Sequence, residues 1–510
     1  MIQNISLKIA NKSLNIKDLS FCWARSLTTG VDSGAAFTGG VGNDTFSGYF
    51  NQTNASTDST MTAVDTIVGG AGIDTLNVTT AGTPTTFGGA SISGIEILNL
   101  RATANTGTID LAAATVSGLT NFNATSTGSV TVTGLNSGAA YGLTGDGAIT
   151  LGAQSATYAA TATVATLNVQ GGVGPTGTVA PTVAIGGAAT TSAVINSTGV
   201  ANTIGALNLD VNTGGTLITT ATINATTGLT TGAWTAAALT SLTINGAGAV
   251  NTATALAATV TTVNAAGNSG GVTVALGSAI TQTVTGGTGN DVISTGAVLT
   301  TGSVNAGVGT DVLVLTNATH LASTTLAAKY TGFETLRLNT GITVDMANAP
   351  AGIVALQTLG VATVTNMTAT QASAVQMRAN AVAGTADALQ FNLANQAGTT
   401  DALTIVAGTG LTTTGALDIA ALNVTGFEIL NLQANAGPTS TAGAVGAGDR
   451  TTNITGTITG ATLNTINLTG TAVNIANVAT SVAVTINGSA LTGNGLPAAT
   501  QAGLEVARFV

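Results

Sequence analysis

Three copies of the pattern Gly-Gly-x-Gly-x-Asp, each followed one residue later by a large apolar side chain, constrain the fold of this chain more than any other feature. The copies are GGVGNDTF at residues 39–46, GGAGIDTL at 69–76 and GGTGNDVI at 286–293. Glycine accepts the positive φ angles of a tight turn, and the apolar residue can point into a core. The pattern therefore predicts nonapeptide turns that stack in a parallel β-roll.

The same turns are candidate calcium sites. Aspartate supplies a hard anionic oxygen, and positive-φ glycines can direct backbone carbonyls toward an ion that takes about six to eight oxygen ligands. A fourth, degraded copy at 306–313 (AGVGTDVL) keeps the aspartate and has alanine for the first glycine. A merely structural glycine–aspartate turn is the alternative. The residues predicted to form calcium sites are Gly39, Gly40, Gly42, Asn43, Asp44, Asp65, Gly69, Gly70, Gly72, Asp74, Gly286, Gly287, Gly289, Asn290, Asp291 and Asp311.

Spacing distinguishes the copies from one another. Asp65 precedes Asp74 by nine residues, so we expect these two aspartates to stack on neighbouring turns. Nine residues before Asp44 and Asp291 there is no carboxylate, so these sites need ligands from elsewhere in the chain. The sequence therefore favours the Asp74 site as the strongest.

A second repeat places a glutamate at the start of a predicted strand. The segments GIEILNL (94–100), GFETLRL (332–338) and GFEILNL (426–432) contain three of the four glutamates in the chain. Each glutamate follows an aspartate, Asp74, Asp311 or Asp401, by 22, 23 and 27 residues respectively. The glutamate could bind calcium, cap backbone amides or pair with a basic residue. The leucines that strand alternation predicts to point inward are Leu98, Leu336 and Leu430.

Composition favours strands over helices. Charged residues make up 6% and aromatic residues 3% of the chain, while hydrophobic residues make up 44%, so a core of small and β-branched side chains can form. Short strand-like segments recur at irregular spacing, as expected of solenoid rungs with unequal loops. We predict an all-β chain of parallel β-solenoid or β-roll-like segments, with or without sandwich-like parts. The few short helices predicted are at 111–115, 236–239 and 369–377.

Charge and cysteine content exclude several classes of protein. The net charge of −10 disfavours nucleic acid as a partner, and the single cysteine, Cys22, excludes an internal disulfide. No uninterrupted apolar stretch reaches the length of about 18 residues that a membrane-spanning helix needs. We divide the chain into an atypical basic arm at 1–26 and two β-rich repeat regions at 27–284 and 285–510. The arm has no apolar run typical of a cleaved signal peptide.

The glycine–aspartate turns, the glutamate-led strands and the acidic, Ala/Thr/Gly-rich background resemble bacterial surface-layer (S-layer) proteins of the calcium-binding RTX type, which type I secretion exports. The resemblance extends from residue 27 to the C-terminus. It implies a secreted, cell-surface protein without a cleaved leader, and an export signal in the tail LEVARFV at 504–510. It also implies Ca²⁺ as the bound ion. The implied partners are further copies of the chain and cell-surface polysaccharide.

Enzymatic chemistry has little support in the sequence. The only histidine, His320, has no neighbouring glutamate, so the HExxH zinc helix is absent, and a Ser-His-Asp triad would depend on this one residue. Paired carboxylates for glycoside cleavage stay open, although aromatic residues for a sugar cleft are sparse. We therefore expect a non-enzymatic structural protein, a calcium-dependent, self-assembling surface-layer component. The alternative is a secreted adhesin or biofilm-matrix protein that binds surfaces or glycans.

Overall fold

The structure is a computed structural model in which nearly all of the regular structure is parallel β-strand wound into a solenoid. It describes residues 7–9, 12–14, 22–51, 58–83, 85, 87, 89–102, 104, 106, 108–111, 116–126, 128–145, 151–174, 180–211, 217–379, 386–407, 417–434, 451–470 and 472–491. These residues fall into two compact units, Met1–Val274 and Ala275–Val510, which together hold about 16 solenoid turns. The predicted all-β solenoid is confirmed.

The first unit contains three parallel sheets. The strands of sheet A, in pairing order, are Ala24–Ser26, Thr45–Asn51, Thr75–Ala81, Ile97–Ala102, Asn121–Ser126, Ala140–Thr144, Val164–Gln170, Ser192–Thr198, Thr220–Ala225, Ser241–Gly246 and Thr262–Asn268. Sheet B consists of Thr108–Asp110, Val130–Leu135, Gln154–Tyr158, Thr182–Gly187, Asn202–Asn208, Leu229–Thr235 and Val250–Ala255. Sheet C consists of Thr66–Val68, Ser91–Ser93 and Val116–Ser117.

The described N-terminal residues of this unit form two short strand pairings. Leu7–Ile9 pairs with Lys12–Leu14 in an antiparallel ribbon, whereas Ala24–Ser26 pairs in parallel with Thr45–Asn51. Sheet A therefore starts before residue 27. A short 3-10 helix occupies Gly34–Ala36, and Cys22 is a free, exposed thiol.

The second unit also contains three parallel sheets, and the strand Val272–Ala275 lies at the boundary between the units. Sheet D consists of Thr283–Thr285, Ser303–Asn305 and Tyr330–Thr331. Sheet E consists of Val292–Ser294, Val312–Leu315, Thr335–Leu338, Ala355–Leu359, Val375–Ala379, Ala402–Ala407, Ile429–Ala434, Thr465–Gly470 and Thr485–Leu491. Sheet F consists of Ile342–Asp345, Ala362–Met367, Asp387–Leu393, Leu417–Thr425, Thr451–Gly460 and Ala472–Thr480.

Helices are short, as expected. Within the described residues, the α-helices are Thr324–Ala327 and Ala369–Ala372, and further 3-10 helices occupy Ala318–Leu321 and Met346–Asn348. The helix predicted at 369–377 ends early because Val375 and Met377 alternate into the core as part of a strand. Residues 236–239 form a turn instead of a helix, and most of 111–115 lies outside the described residues. No helix in the described ranges is long and apolar enough to cross a membrane.

The core of each unit is a set of columns in which apolar side chains from successive rungs contact each other. In sheet A, Leu76 pairs with Leu98, which pairs with Phe122 in the next rung, and all three are buried. The prediction that Leu98, Leu336 and Leu430 point inward is confirmed, since each has 0% exposure. Strand alternation and parallel register therefore bury a continuous column from side chains about one rung apart in sequence.

The outer face of sheet A carries an asparagine ladder, in which each side-chain amide nitrogen donates to the side-chain oxygen of the asparagine in the preceding rung. The N···O distances are 2.9 Å from Asn99 to Asn77 and 2.9 Å from Asn123 to Asn99. The ladder is interrupted at Gly142, which pairs with Asn123 and has no side-chain amide. A Cβ at this position would collide with Asn123 Oδ1. The ladder resumes at Asn168, Asn196, Asn224 and Asn245. The asparagine side chains on this face are uncharged, and hydrogen bonds between them link successive rungs.

Candidate metal sites

In the first unit, the turn at 39–44 stacks on the turn at 69–74, and that turn stacks on the glutamate-led segment. The backbone N–H of Asp44 donates to Asp74 Oδ1 at 2.7 Å, and the N–H of Asp74 donates to Glu96 Oε2 at 2.8 Å. We name these three residues carboxylate ladder I. Each carboxylate thus caps the backbone of the preceding rung, and three acidic groups line up along one edge of the unit.

The second unit repeats the same arrangement. Asp291 N–H donates to Asp311 Oδ1 at 2.7 Å, and Asp311 N–H donates to Glu334 Oε2 at 2.8 Å. These three residues form carboxylate ladder II. The degraded turn at 306–311 therefore occupies the central rung of its ladder, as the turn at 69–74 does in the first unit. The sequence predicts that the Asp74 site is stronger than the Asp311 site, whereas in the structure the two aspartates make the same hydrogen bonds to neighbouring rungs.

Glycine is required in these turns because successive backbones approach too closely for a side chain. A Cβ on Gly39 would collide with the carbonyl oxygen of Gly69 and with the Asp44 carboxylate. Gly72 has φ +136°, and a Cβ there would lie 2.6 Å from the carbonyl oxygen of Gly42. The glycines thus bring carbonyl and carboxylate oxygens of adjacent rungs together.

The central aspartate of each ladder has one oxygen without a hydrogen-bond partner. Asp74 Oδ2 and Asp311 Oδ2 are buried and accept no hydrogen bond from any described residue. In the first rung of each ladder the Oδ2 atom does have a donor. Gly40 N–H donates to Asp44 Oδ2 at 2.7 Å, and Gly287 N–H donates to Asp291 Oδ2 at 2.9 Å. A buried carboxylate oxygen normally has a partner. A bound cation would supply one.

The pKa values of the two central aspartates are raised, which indicates that no positive charge from the described residues compensates these carboxylates. Burial first, and the neighbouring carboxylates Asp291 and Glu334 second, raise the pKa of Asp311 from 3.8 to about 6, against the lowering effect of the Asp291 N–H bond. Burial and the charges of Asp44 and Glu96 likewise raise the pKa of Asp74. Ionising the central carboxylate is therefore less favourable than in water, and a bound cation would offset this cost.

The side chains of the two asparagines predicted as ligands hold neighbouring turns together. Asn43 Oδ1 accepts the N–H of Ile73 at 2.9 Å, and Asn290 Oδ1 accepts the N–H of Thr310 at 2.9 Å. Within the described ranges, no three side chains of His, Cys, Asp or Glu are grouped so as to hold a metal ion by themselves. A cation at these turns would therefore also need backbone carbonyls. The atoms available as metal ligands are all oxygens, the type of ligand that calcium prefers, so the residues fit that ion.

The predicted stacking of Asp65 on Asp74 is wrong. Asp65 Oδ1 accepts the N–H of Asp32 at 2.9 Å and its Oδ2 accepts the N–H of Thr62 at 2.6 Å, so both oxygens are used away from Asp74. The reason is that one rung takes 22 to 33 residues here, so the stacked partner is a whole rung away. Asp32, which the sequence pattern does not identify, is the true neighbour of Asp65.

The glutamate-led strands are equivalent rungs, as predicted, and their glutamates cap backbone amides. A third pair follows the same geometry, since Asp401 N–H donates to Glu428 Oε2 at 2.9 Å. The turn before Asp401, GTTD, lacks the full glycine pattern. The intervals of 22, 23 and 27 residues were the sequence signal for this stacking, although spacing alone left the role of the glutamate open.

His320 does not belong to either ladder. It is buried, and its Nδ1 lies 3.0 Å from the Tyr330 hydroxyl. Burial lowers its pKa. The residue serves as a packed core side chain in the second unit.

Comparisons with known proteins add no assignment. No protein-family model matches the chain, and no curated protein matches its sequence.

Proposed function

We propose that the protein is a calcium-stabilised structural component of an extracellular surface layer, of the RTX type and exported by type I secretion. The observation that carries the calcium part of this proposal is the unpartnered, buried Oδ2 of Asp74 and of Asp311. A divalent cation would offset the repulsion within each carboxylate ladder and provide the missing partner.

The calcium ligands would come from two adjacent turns in each unit. In the first unit they would be Asp44 and Asp74 with glycine carbonyls of the turns at 39–42 and 69–72. In the second unit they would be Asp291 and Asp311 with carbonyls of 286–289 and 306–309. Asp65 is the weakest of the predicted ligands, because its oxygens accept the N–H groups of Asp32 and Thr62 and it does not stack on an aspartate of a glycine turn.

The kind of calcium site proposed here supports the proposal of an extracellular location. Few carboxylates and many backbone ligands give calcium dissociation constants of about 10⁻⁴–10⁻³ M, which suit the calcium concentrations outside cells. The chain has one cysteine and so no internal disulfide. Calcium would therefore take the stabilising role that disulfides have in many secreted proteins.

Self-assembly is the second part of the proposal. The asparagine ladder gives sheet A an outer face with few charges, so lateral contact between copies meets little local repulsion. The net charge of −10 opposes assembly at long range. Calcium would reduce this repulsion, so we expect monomers in excess chelator and sheets or large oligomers in millimolar calcium.

Melting curves, light scattering and electron microscopy of the purified chain test both parts. Calcium should raise the melting temperature and produce ordered assemblies, and the double variant Asp74→Asn/Asp311→Asn should lose both effects. Asp401→Asn, which alters a similar rung without the glycine turn, is the matched control. Identical melting with calcium and with chelator would exclude calcium binding. A calcium-dependent melting shift in a protein that stays monomeric would exclude assembly and favour the secreted adhesin.

A further inference from the structure

Two arginines lie close together on the outer face of sheet E. Only six basic residues follow Arg25 in this acidic chain, and Arg337 and Arg378 are two of them. Two strand spacings of about 4.8 Å and two residues along a strand place their Cα atoms roughly 12 Å apart, which two arginine side chains can span. The pairing of Arg337 with Gln357, and of Gln357 with Gln376, sets this geometry.

The side chains between the arginines form a hydrogen-bonded relay. Arg337 Nε donates to Gln357 Oε1 at 2.7 Å, and Gln357 Nε2 donates to Gln376 Oε1 at 2.9 Å. Both glutamine oxygens are thereby used as acceptors within the relay. The two terminal amino groups of Arg337 and the amide nitrogen of Gln376 have no acceptor among the described residues. The relay therefore presents donors at both ends.

A β-bulge positions the second arginine. Thr358 pairs with Met377 and Leu359 with Ala379, so Arg378 is the extra residue in its strand. Bulges redirect a side chain and are frequent beside binding sites. Arg378 lies two residues after Gln376, so the bulge falls at the end of the relay.

Among the described residues, no carboxylate neutralises the charge of Arg337. Burial first, and the charge of Arg378 second, lower the pKa of Arg337 to about 10, and no carboxylate acts against them. A half-buried guanidinium is costly unless an anion accompanies it. The planar guanidinium fork suits the paired oxygens of a carboxylate, phosphate or sulfate.

We propose that the relay of Arg337, Gln357 and Gln376, together with the neighbouring Arg378, binds a compact oxyanion. The ligand class is a carboxylate, phosphate or sulfate group, either free or carried by an acidic polysaccharide. This site is separate from the calcium proposal, because it uses the outer face of sheet E and needs no metal.

Isothermal titration calorimetry of the full chain in excess chelator, where we expect monomers, tests the site, with sodium sulfate, glucuronate and dextran sulfate as probes and neutral dextran as the blank. We expect Arg337→Gln to weaken sulfate-group binding at least about tenfold, with Arg337→Lys intermediate, because charged bidentate bonds are lost. Arg101→Gln, which removes an exposed arginine from the outer face of sheet A, is the matched control and should change affinity less than about twofold.

The probes distinguish the sources of the anion. Arg337-dependent binding of free sulfate or glucuronate supports a site for the group itself, and Arg337-dependent binding of dextran sulfate alone supports a polysaccharide. No binding of any probe, or equal loss in Arg101→Gln, overturns the proposal. If Arg337→Gln fails to fold, phenylglyoxal labelling of the unmutated protein replaces it. Protection of Arg337 but not Arg101 by the probe is then expected, and unchanged labelling of Arg337 overturns the proposal.

Discussion

Replacing the central aspartate of ladder II by asparagine should have opposite effects with and without calcium. Asparagine at position 311 is neutral and nearly the same shape. Its oxygen can keep the 2.7 Å bond from Asp291 N–H, and its amide can donate where the unpartnered Oδ2 now lies. In excess chelator Asp311→Asn should therefore stabilise the protein, because it removes a buried, repelled charge. In saturating calcium it should destabilise the protein, because it removes a ligand.

The magnitudes follow from the pKa of Asp311. At about 1.36 kcal/mol per unit, a rise from 3.8 to about 6 gives an upper limit of about 3 kcal/mol. Solvent screening at the turn reduces the expected gain in chelator to about 1–2 kcal/mol. That is a rise of about 2–8 °C in melting temperature for a unit of this size. With calcium at 100 times its dissociation constant, losing the site costs about 2.7 kcal/mol.

The pH dependence provides an independent check. A carboxyl whose folded-state pKa is raised adds stability below its unfolded pKa of 3.8 and loses that contribution as the pH rises through about 6. The advantage of Asp311→Asn in chelator should therefore be full at pH 7 and disappear as the pH falls from about 6 to about 4. The difference between variant and unmutated protein isolates this contribution from other titrating groups.

Circular dichroism melts in chelator and in calcium measure these effects. Asp401→Asn is the matched control and should show neither the gain nor the calcium-dependent loss. A decrease in melting temperature for Asp311→Asn in chelator, or the same shift in both conditions, would refute the reasoning.

Two further predictions concern the turn and the core. Gly39→Ala should lower the free energy of unfolding by about 3 kcal/mol or more, because the new Cβ would collide with backbone. Gly40→Ala is the control and should be nearly neutral, because the nearest atom to its Cβ, Trp23 Nε1, is 4.0 Å away. Equal changes in melting temperature for the two variants would contradict the close stacking. Burial lowers the pKa of His320, so stability should decline as the pH falls below 6.5, and His320→Gln should flatten that decline in urea titrations between pH 7 and 5. An unchanged pH slope in the variant would show that other groups cause the decline.

Local patterns were enough to predict the elements and the chemistry of the turns. Glycine at positions 39 and 72 is needed for close approach or a positive φ, and such requirements are visible in a sequence because only glycine meets them. Alternation along a strand likewise fixes the inward direction of Leu98 and Leu336. The all-β solenoid and the repeated glutamate-led rung follow from these signals.

Which side chains meet between rungs was decided only by the tertiary structure. In a parallel solenoid the neighbour of a residue is one rung away, and rung length varies with the loops, so nine-residue spacing pairs Asp65 with the wrong aspartate. The same variation conceals the equivalence of Asp74 and Asp311. The turn of Asp311 lacks the first glycine of the pattern, but both aspartates donate their N–H to a glutamate of the next rung. Arg337 and Arg378 lie 41 positions apart in the chain, and only the register of three strands and one bulge brings them to the same face.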